Sequence, residues 1–370
     1  MNPIRTIGVE EELLLVDAAT CLLRPVAQHV VAACSAAEEG RLGRPEVKHE
    51  FFLEQVEIAT SPCSTTHELA IQLRDGRRRV AQTAAPYGVV PVAVPLPILG
   101  RREATPTPGE RYERIREAYG QVASDSLFCA LQVHVQVYSD DEAIGVVDRM
   151  RPWVPLLLAL SANSPWWCGT DTGYASWRAQ LWARWPSSGP REPFGDMASY
   201  RATAASLIRS GAALDKALLN FDLRPSERYP TVELRVADVC TDVSDAVALA
   251  ALVRALVSTT AEQWSRGVPT PDWTVEHLRT ARETASRGGL DGLLVNPVTG
   301  DLDSVADVLA TANEFASKAL LASGDTDVLR SATKRWLLGG NGATRQRAVH
   351  ATAGSLDSIV RDVVARTLAG

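Results

Sequence analysis

Apolar residues recur along this chain with two periods, one near 3.6 and one of 2, and the switches between them mark out helices and strands. The helical period predicts helices over about 24–38, 65–87, 110–124, 141–162, 197–217, 243–266, 274–287, 303–322 and 344–368. Strand-like stretches fall at about 5–17, 47–59, 129–138, 218–223 and 231–238. Helices outnumber strands and the two do not alternate, which argues against a doubly wound parallel sheet and predicts an α+β fold. Proline and glycine punctuate loops over 91–109 and 163–195, and the second is long enough that a purely structural role would be unusual. No repeat or linker divides the chain, so a single domain over 1–370 is expected.

Four of the strands carry polar faces of uncommon composition. Glu10 and Glu12 are two apart and share one face, while Val9 and Leu13 point the other way. The stretch HEFFLEQVEIAT sets Glu50, Glu54 and Glu57 among large apolar residues, where an acid needs a partner or a metal. In LQVHVQV, Leu131, Val133, Val135 and Val137 line one side and Gln132, His134 and Gln136 the other; in TVELRVAD, Thr231, Glu233 and Arg235 oppose Val232, Leu234 and Val236. Each face taken alone is the ordinary solvated side of an antiparallel sheet. Taken together they hold Glu, His, Gln and one Arg without a lysine, which is not the mixture a solvated face favours.

Several carboxylates converging across a sheet suit Mg²⁺, with Mn²⁺ as the alternative, better than a zinc cage. Hard cations in an acidic cleft with an arginine beside them suit a nucleoside triphosphate and its moving γ-phosphoryl group. No GxxxxGK[ST] loop, GxGxxG fingerprint or kinase signature is present, so metals and side chains would hold the nucleotide.

Composition narrows the partners. A net charge of −6, from 38 Lys+Arg against 44 Asp+Glu, argues against nucleic acid and anionic membranes. The apolar run from Trp153 to Ala162 is about half of a bilayer span, and the start MNPIRTIGVEEELLLVD turns acidic where a secretory segment would stay apolar. Six cysteines without a CxxC pair fit reduced thiols in a cytoplasm. Small molecules are the expected partners, and a homo-oligomer is allowed but not indicated.

The blocks GVEEELLLVD (8–17), QVEIATSPC (55–63), RPWVPLLLALSANSPWW (151–167), GTDTGYASWRAQLWARWPSSGP (169–190), PTVELRVADVC (230–240) and GNGATRQRAVH (340–350) resemble the type 2 glutamate–cysteine ligases, in the right order over about residues 5–365. The resemblance implies a glutamine-synthetase-like fold, a curved, mainly antiparallel sheet forming a funnel with helices outside. It implies an ATP-dependent carboxylate-amine ligase: ATP phosphorylates a carboxylate, and an amine displaces phosphate from the acyl phosphate to form an amide. Glutamate and cysteine are the default acid and amine, the amide then being γ-glutamyl. By the same resemblance Glu10, Glu12, Glu50, Glu57 and Glu233 are metal ligands and Arg235 steadies the transferred phosphoryl group. Arg178 is a second phosphate or substrate contact, and Arg111 with Tyr112 is the substrate-side pair.

In the third strand this chain departs from the family, which usually reads His-Val-His-Val-Gly where Gln132 to Gln136 stand here. Gln132 replaces an imidazole expected to ligate a nucleotide-side metal; its carbonyl oxygen is a neutral and weaker ligand. Gln136 adds a side chain to the funnel floor, on the substrate side. His134 or a nearby acid would accept the amine proton. Arg345 and Arg347 either bind the nucleotide or belong to a helix start. Trp166, Trp167, Trp177, Trp182 and Trp185 are expected to pack rather than to bind, and Asn163 with Ser164 to shape a turn before Pro165. Two other functions stay open: a phosphotransferase that stops at the first step, and a non-catalytic nucleotide-binding homologue, although retained buried glutamates and Arg235 weigh against the second.

Overall fold

The computed structural model describes residues 4–36, 43–100 and 104–369. Positions 37 and 38 of the first expected helix and 101–103 of the first expected loop lie outside them. The organising element is a seven-stranded sheet in which every pairing is antiparallel: β1 (Ile7–Asp17), β2 (Glu46–His49), β3 (Gln55–Ala59), β4 (Val89–Val92), β5 (Ala130–Gln136), β6 (Leu223–Pro225) and β7 (Thr231–Asp238). Their order is β2-β3-β1-β5-β7-β6, with β4 pairing the far end of β1. The α+β expectation holds.

One face of this sheet is apolar because of the period-2 alternation. Val9, Leu131, Val133, Val135, Val232, Leu234 and Val236 pack in one cluster with the helices Asp140–Met150, Val154–Ser161 and Val243–Ser265. The last helix has the length and composition of a bilayer span, which the Trp153 to Ala162 run did not suggest. Its most apolar window is 83% buried in the protein, as the central helix of a core is. The opposite face of the sheet is the polar one.

Glu11 faces the apolar side of β1, since three consecutive glutamates cannot share one face of a strand. It is fully buried and receives both Nε and Nη2 of Arg77, at 2.9 and 2.6 Å; Arg77 also donates to the carbonyl oxygens of Cys240 and Thr241. The pair ties the helix Thr66–Ala84 to β1 and to the end of β7. Arg77→Met is expected to cost about 3–5 kcal/mol, because it strands a buried carboxylate, and Glu11→Leu added to it to restore much of the loss. Urea unfolding checks both; an unchanged midpoint for Arg77→Met removes the pair from the structural account.

Several element boundaries differ from expectation for local reasons. The stretch 47–59 is two strands joined by a turn at 50–54, which takes Glu50 off the strand. Pro152 opens a helical turn that splits 141–162, and Gly354, at φ 71°, splits 344–368 into Gly342–Ala353 and Leu356–Leu368. The helix 197–217 stops at Arg209. The helix Thr326–Gly339 and strand β4 were not anticipated, and the 218–223 strand lies instead at Leu223–Pro225.

Candidate active site

The polar face of the sheet floors an open cleft. Strand register stacks its side chains in three rows. Lys48, Glu57 and Glu12 stand side by side on β2, β3 and β1; Glu10 stands beside Gln132; Gly8, His134, Glu233 and Arg224 run across β1, β5, β7 and β6. The acids therefore gather toward β3 and the arginines toward β6, although the chain separates Glu10 from Arg235 by more than two hundred positions.

On the acidic side, oxygens of Glu12, Glu50 and Glu57 all lie within 4.8 Å of one another. Glu12 accepts from the Ala130 amide at 2.8 Å and Glu50 from the Phe51 amide at 2.8 Å. Burial drives the Glu12 carboxyl up to about 7, against the pull of Arg178 and with the push of Glu57. Burial and the charge of Glu12 drive Glu50 up to about 8. Burial, with Glu10 and Glu50, holds Glu57 well above its ordinary value, against Lys48 at 3.8 Å. Three acids this close, each resisting ionisation, form a site short of positive charge. Their hard oxygen donors fit Mg²⁺ or Mn²⁺.

On the other side the acids are already matched. Glu233 receives Arg224 at 2.9 Å and Arg235 at 3.3 Å; burial works against its ionisation, but these guanidinium groups and His134 outweigh it and hold the carboxyl near 2. Glu10 lies 3.7 Å from His134 Nε2, and although burial raises its carboxyl, His134, Lys48 and Arg235 bring it below the usual range. His134 Nδ1 sits 3.1 Å from the Thr231 hydroxyl, while Nε2 is buried without a hydrogen-bond partner.

Arg235 is aimed by three contacts. Its Nη1 donates to Gln132 Oε1 at 2.5 Å and to Glu233 at 3.3 Å, and its own amide donates to Asp222. A β-bulge sets both Arg235 and Val236 opposite Gln132, since Leu131 pairs Ala237 while Val133 pairs Leu234. Arg178 closes the bulge by donating to both carbonyls, at 3.3 Å to Arg235 and 3.1 Å to Val236, and its charge meets Asp238 at 3.7 Å. Burial, then Arg224, lowers the Arg235 guanidinium to about 10, which leaves it a cation at neutral pH.

The cleft thus brings together Glu10, Glu12, Glu50, Glu57, Gln132, His134, Arg178, Glu233 and Arg235, with Arg111 and Tyr112 on its wall. Arg111 reaches Asp215 at 3.3 Å, and Tyr112 packs on Phe51. Glu54 instead accepts from the Thr105 amide, away from the cleft.

Three expectations need correction. Gln136 does not enter the floor: its Oε1 accepts from the amide and hydroxyl of Thr6, where β5 ends. Arg345 pairs with Asp242 and Asp245, and Arg347 pairs with Asp171 at 2.8 Å and donates to the Tyr174 carbonyl, so neither lines the cleft. Their GNGATRQR block is a helix start: Asn341 caps it, and Gln346 donates at 2.7 Å to both oxygens of Asn163. A Cβ on Gly342 would lie 2.0 Å from Asn163 Oδ1, so this block and the Asn163 turn pack as one unit, in which Asp238 binds the Asn163 amide and Ser164.

Lys48, Arg224 and Tyr229 line the cleft unanticipated. For Lys48 the signal was present in EVKHE, where it alternates with two glutamates. Trp182 and Trp185 also line the cleft, and Trp182 carries Arg178 and Arg235 at 5.3 and 5.9 Å from its ring centre. Trp166, by contrast, is core.

Residues 6–362 match Glutamate-cysteine ligase family 2 (GCS2). A Nocardioides sp. relative, provisionally named glutamate–cysteine ligase 2-1, is 42% identical over 98% of this chain and 96% of its own. One from Streptomyces coelicolor, provisionally named glutamate–cysteine ligase 2, is 42% identical over 99% of this chain and 100% of its own. Among solved structures, a glutamate–cysteine ligase from Francisella tularensis in complex with AMP superposes with a TM-score of 0.63 at 12% identity, covering 100% of this chain and 90% of that one. A bifunctional glutathione synthetase from Pasteurella multocida superposes with a TM-score of 0.70 at 14% identity, covering 98% of this chain and 52% of that one. These likenesses show that the fold is shared.

Proposed function

Because this chain belongs to glutamate–cysteine ligase family 2 and is an ATP-dependent carboxylate-amine ligase, we propose that it joins glutamate to cysteine through a γ-glutamyl phosphate, as one catalytic domain. The observation that carries this reading is the meeting of Glu12, Glu50 and Glu57 in one cleft with Arg235 and its partners.

In this proposal Glu12, Glu50 and Glu57 hold Mg²⁺, with Glu10 beside them, and Mn²⁺ is the alternative. The metal, when bound, screens the triphosphate charge and polarises its oxygens. Arg235, presented by Glu233 and Gln132, faces the oxygens of the phosphoryl group in transfer and stabilises the charge that spreads over them. Arg178 keeps the bulge, and hence Arg235, in place. Arg111 on the wall offers a charge for the carboxylate of an amino-acid substrate. His134 Nε2, without a hydrogen-bond partner and within reach of Glu10, takes the proton of the attacking amine. Glu233, tied to two guanidinium groups, serves to position Arg235 rather than to hold a metal, and the Gln132 oxygen is likewise given to Arg235.

The direct test is ADP release with each acid and amine offered singly and in pairs, with products weighed by mass. Release that needs both partners and yields their dehydrated adduct supports the proposal; release with the acid alone identifies a phosphotransferase, and an adduct only with other pairs replaces the substrates.

Metal binding should depend on pH. Glu12 near 7 and Glu50 near 8, against an ordinary value of 4.5, mean that the folded protein holds extra protons between those limits. The stabilisation this gives the metal-free protein is complete below the unfolded value and is lost as pH rises through 7 to 8. Mg²⁺ must displace these protons, so its affinity is expected to rise up to about tenfold per proton displaced and pH unit over that window. Calorimetry in buffers of different ionisation enthalpy checks it; an affinity flat with pH removes these carboxyls from the metal site.

The location proposed is the cytoplasm. No disulfide joins the described cysteines, and burial raises the thiols of Cys63 to about 11 and of Cys129 and Cys240 well up, which makes them packing residues.

A further inference from the structure

One end of the reaction cleft carries polar groups that neither the fold nor the proposed reaction has yet used. Strand order lays the cleft out from side to side: β3 and β1 carry acids that crowd together, β7 carries Arg235, and β6 stands beyond it at the edge of the sheet. A triphosphate gathered at the acids and a phosphoryl group transferred at Arg235 leave the β6 end to the molecules being joined.

Two residues at that end are more than nine-tenths buried and yet hold polar atoms open to the cleft. Arg224 is 6% exposed. Its Nε donates to Glu233 at 2.9 Å and its Nη1 to the carbonyls of Lys216, Ala217 and Leu219, at 3.0, 3.3 and 2.8 Å, which leaves Nη2 without a hydrogen bond among the described residues. Asn220 is 3% exposed, and its backbone N–H donates to the Ser187 hydroxyl at 3.0 Å. Neither Oδ1 nor Nδ2 of its side chain has a hydrogen-bond partner among the described residues, and neither is sealed from solvent. Ser187 in turn donates to the Leu218 carbonyl at 2.6 Å, so the turn that carries Asn220 is pinned by Ser187 on one side and Arg224 on the other. Polar groups fixed in this way and left unmatched can take a ligand without first having to be ordered. Arg111, another guanidinium of the cleft wall, differs: half of its side chain is exposed and it already faces Asp215 at 3.3 Å.

A guanidinium N–H beside a carboxamide N–H suits the two oxygens of a carboxylate. We propose that Asn220 and Arg224 seat the α-carboxylate of the amine substrate, so that the acceptor in this ligase is an α-amino acid and not a simple amine. Arg224 Nη2 and Asn220 Nδ2 donate to the carboxylate. Only Glu233 separates this seat from the proposed base: His134 Nδ1 lies 4.0 Å from one Glu233 oxygen, and Arg224 Nε lies 2.9 Å from the other. An α-amino acid lying over Glu233 therefore meets Arg224 with its carboxylate and turns its amino group toward His134. This rests on the ligase reading and adds to it the residues that choose the acceptor.

The test is kcat/KM for cysteine against cysteamine, which differs from it by the carboxylate alone, with the full chain and saturating ATP, Mg²⁺ and glutamate. The parent is expected to prefer cysteine by at least about a hundredfold, because cysteamine leaves the buried Asn220 and Arg224 groups unmatched. Asn220→Ala is expected to lower kcat/KM for cysteine about tenfold, mainly through KM, and that for cysteamine far less, so that the preference narrows. Asn220→Asp, which keeps the shape and sets a negative charge against the carboxylate, is expected to narrow it further. Thermal unfolding is the control for folding, and the comparison of the two amines on the parent needs no variant. The proposal is overturned if the parent takes cysteamine as well as cysteine, if Asn220→Ala lowers both alike, or if either variant raises KM for ATP in place of that for cysteine, which gives the seat to the nucleotide. In each of those cases adduct still forms and the ligase reading stands. No adduct with either amine brings down that reading, and the seat with it.

Discussion

Arg235→Met is expected to lower kcat by roughly 10²–10³-fold while changing KM for ATP far less. The guanidinium sits in the cleft against Glu233 and Gln132 and over Trp182, in surroundings that exclude much of the water that would weaken it. A charge fixed there costs no reorganisation when the phosphoryl group moves. Removing it leaves Glu233 paired with Arg224 at 2.9 Å, so the site loses a cation without acquiring a stranded carboxylate. Arg235→Lys keeps the charge but loses the forked geometry and is expected to fall between the two. Pre-steady-state ADP formation separates the phosphoryl step from amide formation. An Arg235→Met enzyme with unchanged kcat would move the charge-stabilising role elsewhere in the cleft.

Glu57→Gln is expected to weaken Mg²⁺ binding by about 100-fold and to make the metal-free protein more stable at the same time. Glu57 is buried against Glu12 and Glu50, and its carboxyl is held well above the ordinary range by burial and by the charges of Glu10 and Glu50. The amide keeps its shape, removes the like-charge conflict and lowers the cost of burial. A merely structural glutamate would show the opposite pair of effects, with lower stability and unaltered metal dependence. Thermal unfolding with and without Mg²⁺, alongside activity against Mg²⁺ concentration, reads both quantities. Metal affinity equal to the parent's excludes Glu57 as a ligand.

The parts of this site legible beforehand were those carried by strand alternation. Glu10 and Glu12, Gln132 and His134, Glu233 and Arg235 share the face that the period of 2 assigned to them. Gln136 failed at the end of its strand, where the alternation still points it toward the polar side but the adjacent Thr6 captures its oxygen. Arg345 and Arg347 looked like phosphate ligands because a glycine-rich stretch before a helix is a common anion site. Here Asn341 caps that helix and acidic residues from other segments claim both arginines. Arg224 carried no advance signal, because its strand is three residues long and begins later than the apolar pattern suggested.

From the residues alone come most of the strands, their two-faced character, the α+β class and the sharing of one face by Glu10 with Glu12 and by Glu233 with Arg235, since each depends on neighbours a few positions away; the antiparallel sheet was implied by the family resemblance. Which of those acids crowd one another and which face arginine was decided by strand order. Placing β3 beside β1 sets Glu57 against Glu12, and placing β7 beside β6 sets Glu233 against Arg224. Carboxylates of one chemistry are thereby driven in opposite directions, Glu12 up to about 7 and Glu233 down to about 2. That division is electrostatic and acts over a few ångströms, between residues whose separation along the chain says nothing about their distance in space.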